Sequence, residues 1–143
     1  MCQFNLKEVL LNYLGKDEVK KIERWQKIAE MASKQSGRDI IPKIENIQNI
    51  KTLCENIQSY DLVLLAYENE KENSFKEELQ KIKNSKEKLN IAIIIGPEGG
   101  IDEEEVLKLE NAGAKVISLG KRILRTETVA LAMASIIMYE LET

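Results

Sequence analysis

A chain of 143 residues, 43% hydrophobic and 31% charged, suits one soluble globular domain and not a disordered or fibrous chain. A net charge of −3 does not advertise nucleic-acid binding, and the absence of histidine removes Ser-His-Asp and Cys-His nucleophiles, histidine-based zinc sites and the commonest general base. Two cysteines, Cys2 and Cys54, make neither a disulfide framework nor a metal set, and no apolar run approaches the roughly 18 residues a membrane span needs, so a metal-free, cytoplasmic protein is expected.

The opening MCQFNLKEVLLNYLG lacks a basic n-region and a small-residue cleavage site, so no signal peptide is expected, and residues 1–16 are left unassigned. Residues 1–43 carry nine Lys/Arg against six Asp/Glu, a weak basic bias against the acidic remainder. Over residues 17–36, Val19, Ile22, Trp25, Ile28, Ala29 and Ala32 recur at three and four, which predicts an amphipathic helix stopped by Gly37. RDIIPKI (38–44) reads as a short extended piece that Pro42 confines to an edge or end. A second amphipathic helix follows over 47–57. YDLVLLAYE (60–68), NIAIIIG (90–96) and AKVISLG (114–120) are apolar runs of strand length. Residues 73–88 form an exposed helix burying Phe75, Leu79 and Ile82. Residues 102–112 form another, with Asp102 and Glu105 in a capping-box pattern and Gly113 past the end.

Strands that alternate with helices and are apolar on both faces predict an α/β fold with a parallel sheet covered by helices on both faces. Ligands of such sheets sit outside the carboxyl ends of the strands. Three loops then matter: YENE after Leu65-Ala66, GPEGG after Ile95, and GKRILRTET after Leu119. The final helix, 128–141, carries Val129, Leu131, Met133, Ile136, Ile137 and Met138 on nearly every face. It is therefore expected to be threaded into the domain, covered by a partner subunit, or both.

Gly99 and Gly100 allow a tight turn and close approach of a ligand to the main chain. Phosphate is a poor guest beside Glu98 and the acidic residues 102–105, and neither a Walker motif nor G-x-G-x-x-G is present. A ligand read by backbone groups, neutral or cationic near Glu98, fits better, and a sulfonium such as S-adenosylmethionine is one. In the third loop Lys121, Arg122 and Arg125 crowd beside Thr126, Glu127 and Thr128, with Thr126 placed to cap the last helix. Guanidinium forks there suit phosphate oxygens and base edges.

GPEGG followed by LGKRILRTETVAL, with RWQKIAEMASKQSGR (24–38) before them, resembles the ribosomal RNA small subunit methyltransferase E family of the SPOUT class, from about Arg24 to the end. The resemblance implies an α/β catalytic domain, here 17–143, with a deep C-terminal trefoil knot, a homodimer, and S-adenosylmethionine bound in the knot. The implied reaction methylates N3 of a uridine in small-subunit (16S) ribosomal RNA. By position, Gly96, Pro97, Glu98, Gly99, Gly100, Leu119, Gly120, Leu124, Thr126 and Thr128 fall in the cofactor pocket. The family's N-terminal RNA-binding barrel is not recognisable in residues 1–16, nor are the strand and helix that open its catalytic domain. The sheet is thus expected to fall short of its first strand. Uridine N3 is protonated at neutral pH, so the chemistry needs proton removal and stabilisation of the anion on O2 and O4. Arg125 or Arg122 is expected to stabilise that anion or a flanking phosphate, and Glu127 is the nearest carboxylate to serve as base or to orient an arginine. The rival readings are a catalytically silent RNA-binding remnant and a purely structural dimerisation domain.

Overall fold

The computed structural model describes residues 3–11, 18–37, 39, 41–44, 49–85, 88–96, 100–122 and 124–142, with the backbone alone described for residues 3–11, 18, 19, 21, 127 and 142. Among the described residues the α-helices and strands follow in chain order as β1 (Gln3–Leu11), α1 (Glu18–Ser36), α2 (Ile50–Asn56), β2 (Leu62–Ala66), α3 (Phe75–Ile82), β3 (Lys88–Ile95), α4 (Glu103–Ala112), β4 (Lys115–Ile117) and α5 (Thr126–Glu142), with a 3-10 turn at Ile57–Ser59 after α2. The strands form one parallel sheet in the order β1-β3-β2-β4.

The sheet is sandwiched because successive side chains of its central strands alternate between two apolar clusters. Leu62, Leu64, Ile91, Ile93 and Ile95 face α3 and α5, where they meet Phe75, Leu79, Met133 and Ile137. Val63, Leu65, Ala92 and Ile94 face α2 and α4, where they meet Leu53, Ile57, Val106 and Leu109. The register of β2 on β3 is fixed at its start by Asp61. Its backbone N–H donates to the Asn90 carbonyl at 2.8 Å, and its carboxylate accepts the Asn90 N–H at 2.8 Å.

Five expectations are corrected here. Residues 3–11 are not an unassigned appendage: they pair in parallel with β3 and supply an edge strand, with a register shift between Leu6 and Val9. Asn5, Lys7 and Glu8 interrupt the apolar run, so pairing with β3, rather than local pattern, decides this strand. Asp102 holds the N-cap backbone conformation of α4, yet its side chain makes no cap hydrogen bond. Exposed, it acts with Glu103, Glu104 and Glu105 as an acidic first turn facing the helix dipole. Thr126 does not cap α5 but opens it: the Val129 N–H donates to the Arg125 carbonyl at 2.9 Å, which puts Arg125 at the helix entry. The helix expected over 73–88 is shorter, since α3 spans Phe75–Ile82 and Lys88 already begins β3. Residues 41–44, within the segment expected to be extended, take no part in a strand. They are strapped to α1 by Gln26, whose amide donates to the Pro42 carbonyl (3.1 Å) and accepts the Ile44 N–H (2.8 Å).

Helix α5 is not buried all round within one chain. Met133, Ile137 and Leu141, spaced by four, are sunk in the core. On the other side Leu131 and Tyr139 are 72% and 70% exposed, with Ile136 and Met138 half exposed beside them. Gly113 ends α4 at φ 118° as expected, its N–H returning to the Glu110 carbonyl at 3.0 Å. Among the described residues no helix is long and apolar enough to cross a membrane.

Candidate active site

The helix after β2 (α3) packs on one face of the sheet, and the helix after β3 (α4) packs on the other. Their connecting loops therefore diverge, and a crevice opens outside the carboxyl ends of the strands. A cavity of about 600 Å³ lies there. All three loops singled out from the sequence line it: Tyr67 and Glu68 after β2, Gly96, Gly100 and Ile101 after β3, and residues from Ser118 onward after β4. The floor is apolar, built from Ala66, Ile95, Ile101, Leu119, Leu124 and Val129.

The walls carry opposite charge. Among the described lining residues Glu68 is the single carboxylate, and it stands beside Gly100: a Cβ placed there would lie 3.8 Å from its Oε1. Lys121, Arg122 and Arg125, all exposed, line the same cavity just ahead of the first turn of α5. A helix N-terminus is itself positive, so three cations there oppose the dipole and suit an incoming anion. Gly96 is demanded by packing: a Cβ on it would drive into the Ile101 side chain that forms the floor.

The loop between β2 and α3 has its own scaffold. The Glu70 N–H donates to the Tyr67 carbonyl at 3.2 Å, closing a turn. Oε1 of Glu70 then accepts the N–H groups of Lys71 (2.8 Å), Glu72 (2.7 Å) and Asn73 (3.2 Å). These bonds hold the Glu70 carboxyl below the usual carboxylate range, the Glu72 N–H contributing most and the Asn73 N–H next. The Asn73 carbonyl in turn accepts the Ser118 N–H at 3.1 Å, Ser74 bridges Ser118 in parallel, and the Ser118 hydroxyl accepts the Gly120 N–H at 3.2 Å.

Of the residues expected at a site, Gly96, Gly100, Leu119, Gly120, Arg122, Leu124, Arg125 and Thr126 line this cavity. Thr128 stands exposed on α5, outside the lining. Pro97, Glu98 and Gly99 lie outside the described residues, as does the side chain of Glu127. Sequence reasoning named the YENE loop but not Glu68 within it, and it missed Ile101, Ser118 and Val129. Glu68 was findable as an acidic residue directly after a buried strand, whereas the other three carry no local signal. Among the described residues no group of His, Cys, Asp or Glu side chains could hold a metal ion.

Residues 2–138 match the family model described as an RNA methyltransferase domain. The chain is 40% identical over 118 residues to the ribosomal RNA small subunit methyltransferase E of Mesomycoplasma hyopneumoniae (strain 232), a match that covers 82% of this chain and 48% of that protein. It is 37% identical over 124 residues to the protein of the same name from Bacillus subtilis (strain 168), covering 86% and 48%. The chain thus spans about half the length of these curated relatives. A crystal structure of a ribosomal RNA small subunit methyltransferase E from Neisseria gonorrhoeae, bound to S-adenosyl methionine, is similar with a TM-score of 0.72 and 30% identity, over 85% of this chain and 48% of that one.

The floor at Gly96 makes a packing prediction. Gly96→Ala should destabilise the chain by about 1–3 kcal/mol through overpacking. Adding Ile101→Ala should return part of that loss, so the double variant costs less than the sum of the singles. Urea denaturation of the four proteins reads this directly, and strict additivity would mean that the two residues do not compete for the same space.

Proposed function

The chain belongs to the family of RNA methyltransferase domains, and from that premise we propose that it methylates N3 of a uridine in small-subunit (16S) ribosomal RNA, with S-adenosylmethionine held in the cavity at the strand ends. The observation that carries this reading is the convergence of three loops on one cavity with an acidic and a basic wall. The names of the relatives and the cofactor in the neisserial structure support it.

The residues present suit such a cofactor. About 600 Å³ lies within the roughly 300–1,000 Å³ range of small-molecule sites, with an apolar floor below charged and hydroxyl-bearing walls. Glu68 offers a carboxylate to a cationic or hydroxyl-bearing guest, while Gly96, Gly100, Leu119 and Gly120 bring main chain to the surface of the cavity. We assign the cofactor to these residues together with Leu124, Thr126 and the Pro97, Glu98 and Gly99 segment that joins Gly96 to Gly100. Thr128 is withdrawn from the set, because it lies outside the lining. When bound, S-adenosylmethionine supplies an electrophilic methyl group on a positively charged sulfur.

The chain's own residues must then handle the uridine. A sulfonium gains nothing from nearby arginines, so Lys121, Arg122 and Arg125 are assigned to the RNA. Arg125, anchored at the entry of α5, stabilises the anion that forms on uracil O2 and O4 once N3 loses its proton. Arg122 meets a flanking phosphate. Glu127, in the first turn of the same helix, is the carboxylate we assign to take the N3 proton. The reading includes the family's C-terminal knot and a cytoplasmic place of action. It also includes a homodimer, because the exposed Leu131, Ile136, Met138 and Tyr139 side of α5 is an apolar surface fit for a second copy.

Arg125→Ala should lower methyl transfer to small-subunit ribosomal RNA by about a hundredfold or more, the scale of losing a preorganised electrostatic group. Cofactor affinity should stay within a few-fold. If calorimetry instead shows binding abolished with the fold intact, Arg125 belongs to the cofactor pocket and the division of labour fails. For assembly, the parent should sediment as a dimer at micromolar concentration, and Leu131→Glu should yield folded monomers, since the carboxylate replaces surface apolar area and not core. A monomeric parent would contradict the partner assignment for α5.

A further inference from the structure

We propose that Glu70 is a positioning residue for the cofactor cavity: from outside the lining, its carboxylate sets the position of the β4 wall through the segment 71–73. The connection is a continuous chain of hydrogen bonds. Glu70 is absent from the cavity lining, yet its Oε1 gathers three consecutive backbone N–H groups, those of Lys71, Glu72 and Asn73, at 2.7–3.2 Å. That fixes the direction of the Asn73 carbonyl, which receives the Ser118 N–H at 3.1 Å. Ser118 then holds the Gly120 N–H through its hydroxyl at 3.2 Å. Ser118, Leu119 and Gly120 are cavity wall.

The same residue also ties down the neighbouring loop after β2. Its own N–H closes the turn on the Tyr67 carbonyl, and the Tyr67 N–H donates to the Ile117 carbonyl at 3.2 Å. Glu70 therefore links the loop after β2 to the end of β4, two strands whose ladder is only three pairs long. A ladder that short does not by itself extend to Ser118–Gly120, so the anchored Asn73 carbonyl supplies the next rung. The carboxylate is chemically suited to this. A charged acceptor makes stronger bonds to backbone N–H groups than a neutral one, and one carboxylate oxygen accepts from several donors at once.

The role in cofactor affinity rests on the reading of the cavity given above, whereas the role in fixing Ser118 does not, and the test separates them. Backbone amide exchange is followed by NMR in the parent, Glu70→Ala and Glu70→Gln, and the same proteins are titrated with S-adenosylmethionine in a calorimeter. In Glu70→Ala the Ser118 N–H should exchange about tenfold faster, the effect of weakening one anchored hydrogen bond, while amides of β3 keep their protection. Cofactor affinity should fall by a similar factor. Glu70→Gln keeps an acceptor oxygen in the same place and should restore most of both. Unchanged exchange at Ser118 in Glu70→Ala overturns the proposal, as does a glutamine variant no better than alanine. Accelerated exchange with unaltered cofactor affinity equally overturns it. A parent that binds no cofactor would instead sink the reading of the cavity, and exchange at Ser118 alone would then decide whether Glu70 positions the wall.

Discussion

Parallel pairing of Leu62–Ala66 with Lys88–Ile95 is the constraint on which the cavity depends. Both strands carry large apolar side chains on alternate sides, and neither side can be left to water without losing much of the burial that folds the chain. Two layers of helix are therefore required. The chain meets the requirement by sending α3 to one face and α4 to the other. Once it does, the loops that leave β2 and β3 must part company at the carboxyl ends, and the crevice between them is a consequence of covering the sheet twice. The third wall arrives with β4, which pairs with the free side of β2 and delivers its following loop to the same place.

What the crevice can hold is decided by charges that packing does not require. Glu68 lines it after β2, beside Gly100. Lys121, Arg122 and Arg125 line it after β4, ahead of a helix whose N-terminal dipole disfavours cations. A surface arranged for stability alone would exchange these signs. As placed, they suit a cationic guest near Glu68 and an anionic one at the entry of α5, the two partners of a methyl transfer from a sulfonium to a nucleic acid. The acidic net charge of the chain as a whole is no obstacle, since the potential at a cleft follows the groups that line it.

Local physics made much of this legible. The helices from 17, 47 and 102 rest on apolar residues at three and four, and strands β2, β3 and β4 on continuous apolar runs, and the structure holds each of these within about three residues of its expected bounds, whereas the helix expected over 73–88 stops at Ile82 and Lys88 already begins β3. The three loops were legible because the ligand side of a parallel sheet follows from topology. β1 was not, since QFNLKEVLL has no pattern that distinguishes a strand from a helix start until β3 is there to pair with it. The wet side of α5 was hidden for the opposite reason: apolar composition says that a face will be covered, not that its cover lies in the same chain. Ser118 and Glu70 are polar residues in polar loops, and their parts in the wall depend on hydrogen bonds between segments about 45 residues apart, which no window of sequence contains.

The account turns on whether this cavity takes S-adenosylmethionine, and calorimetric titration of the chain with that cofactor tests it most directly. The account predicts saturable binding at one cofactor per chain, weakened when Glu68→Ala removes the acidic wall. Absence of any binding heat by the folded chain, or binding indifferent to Glu68→Ala and to Gly96→Val alike, would contradict it.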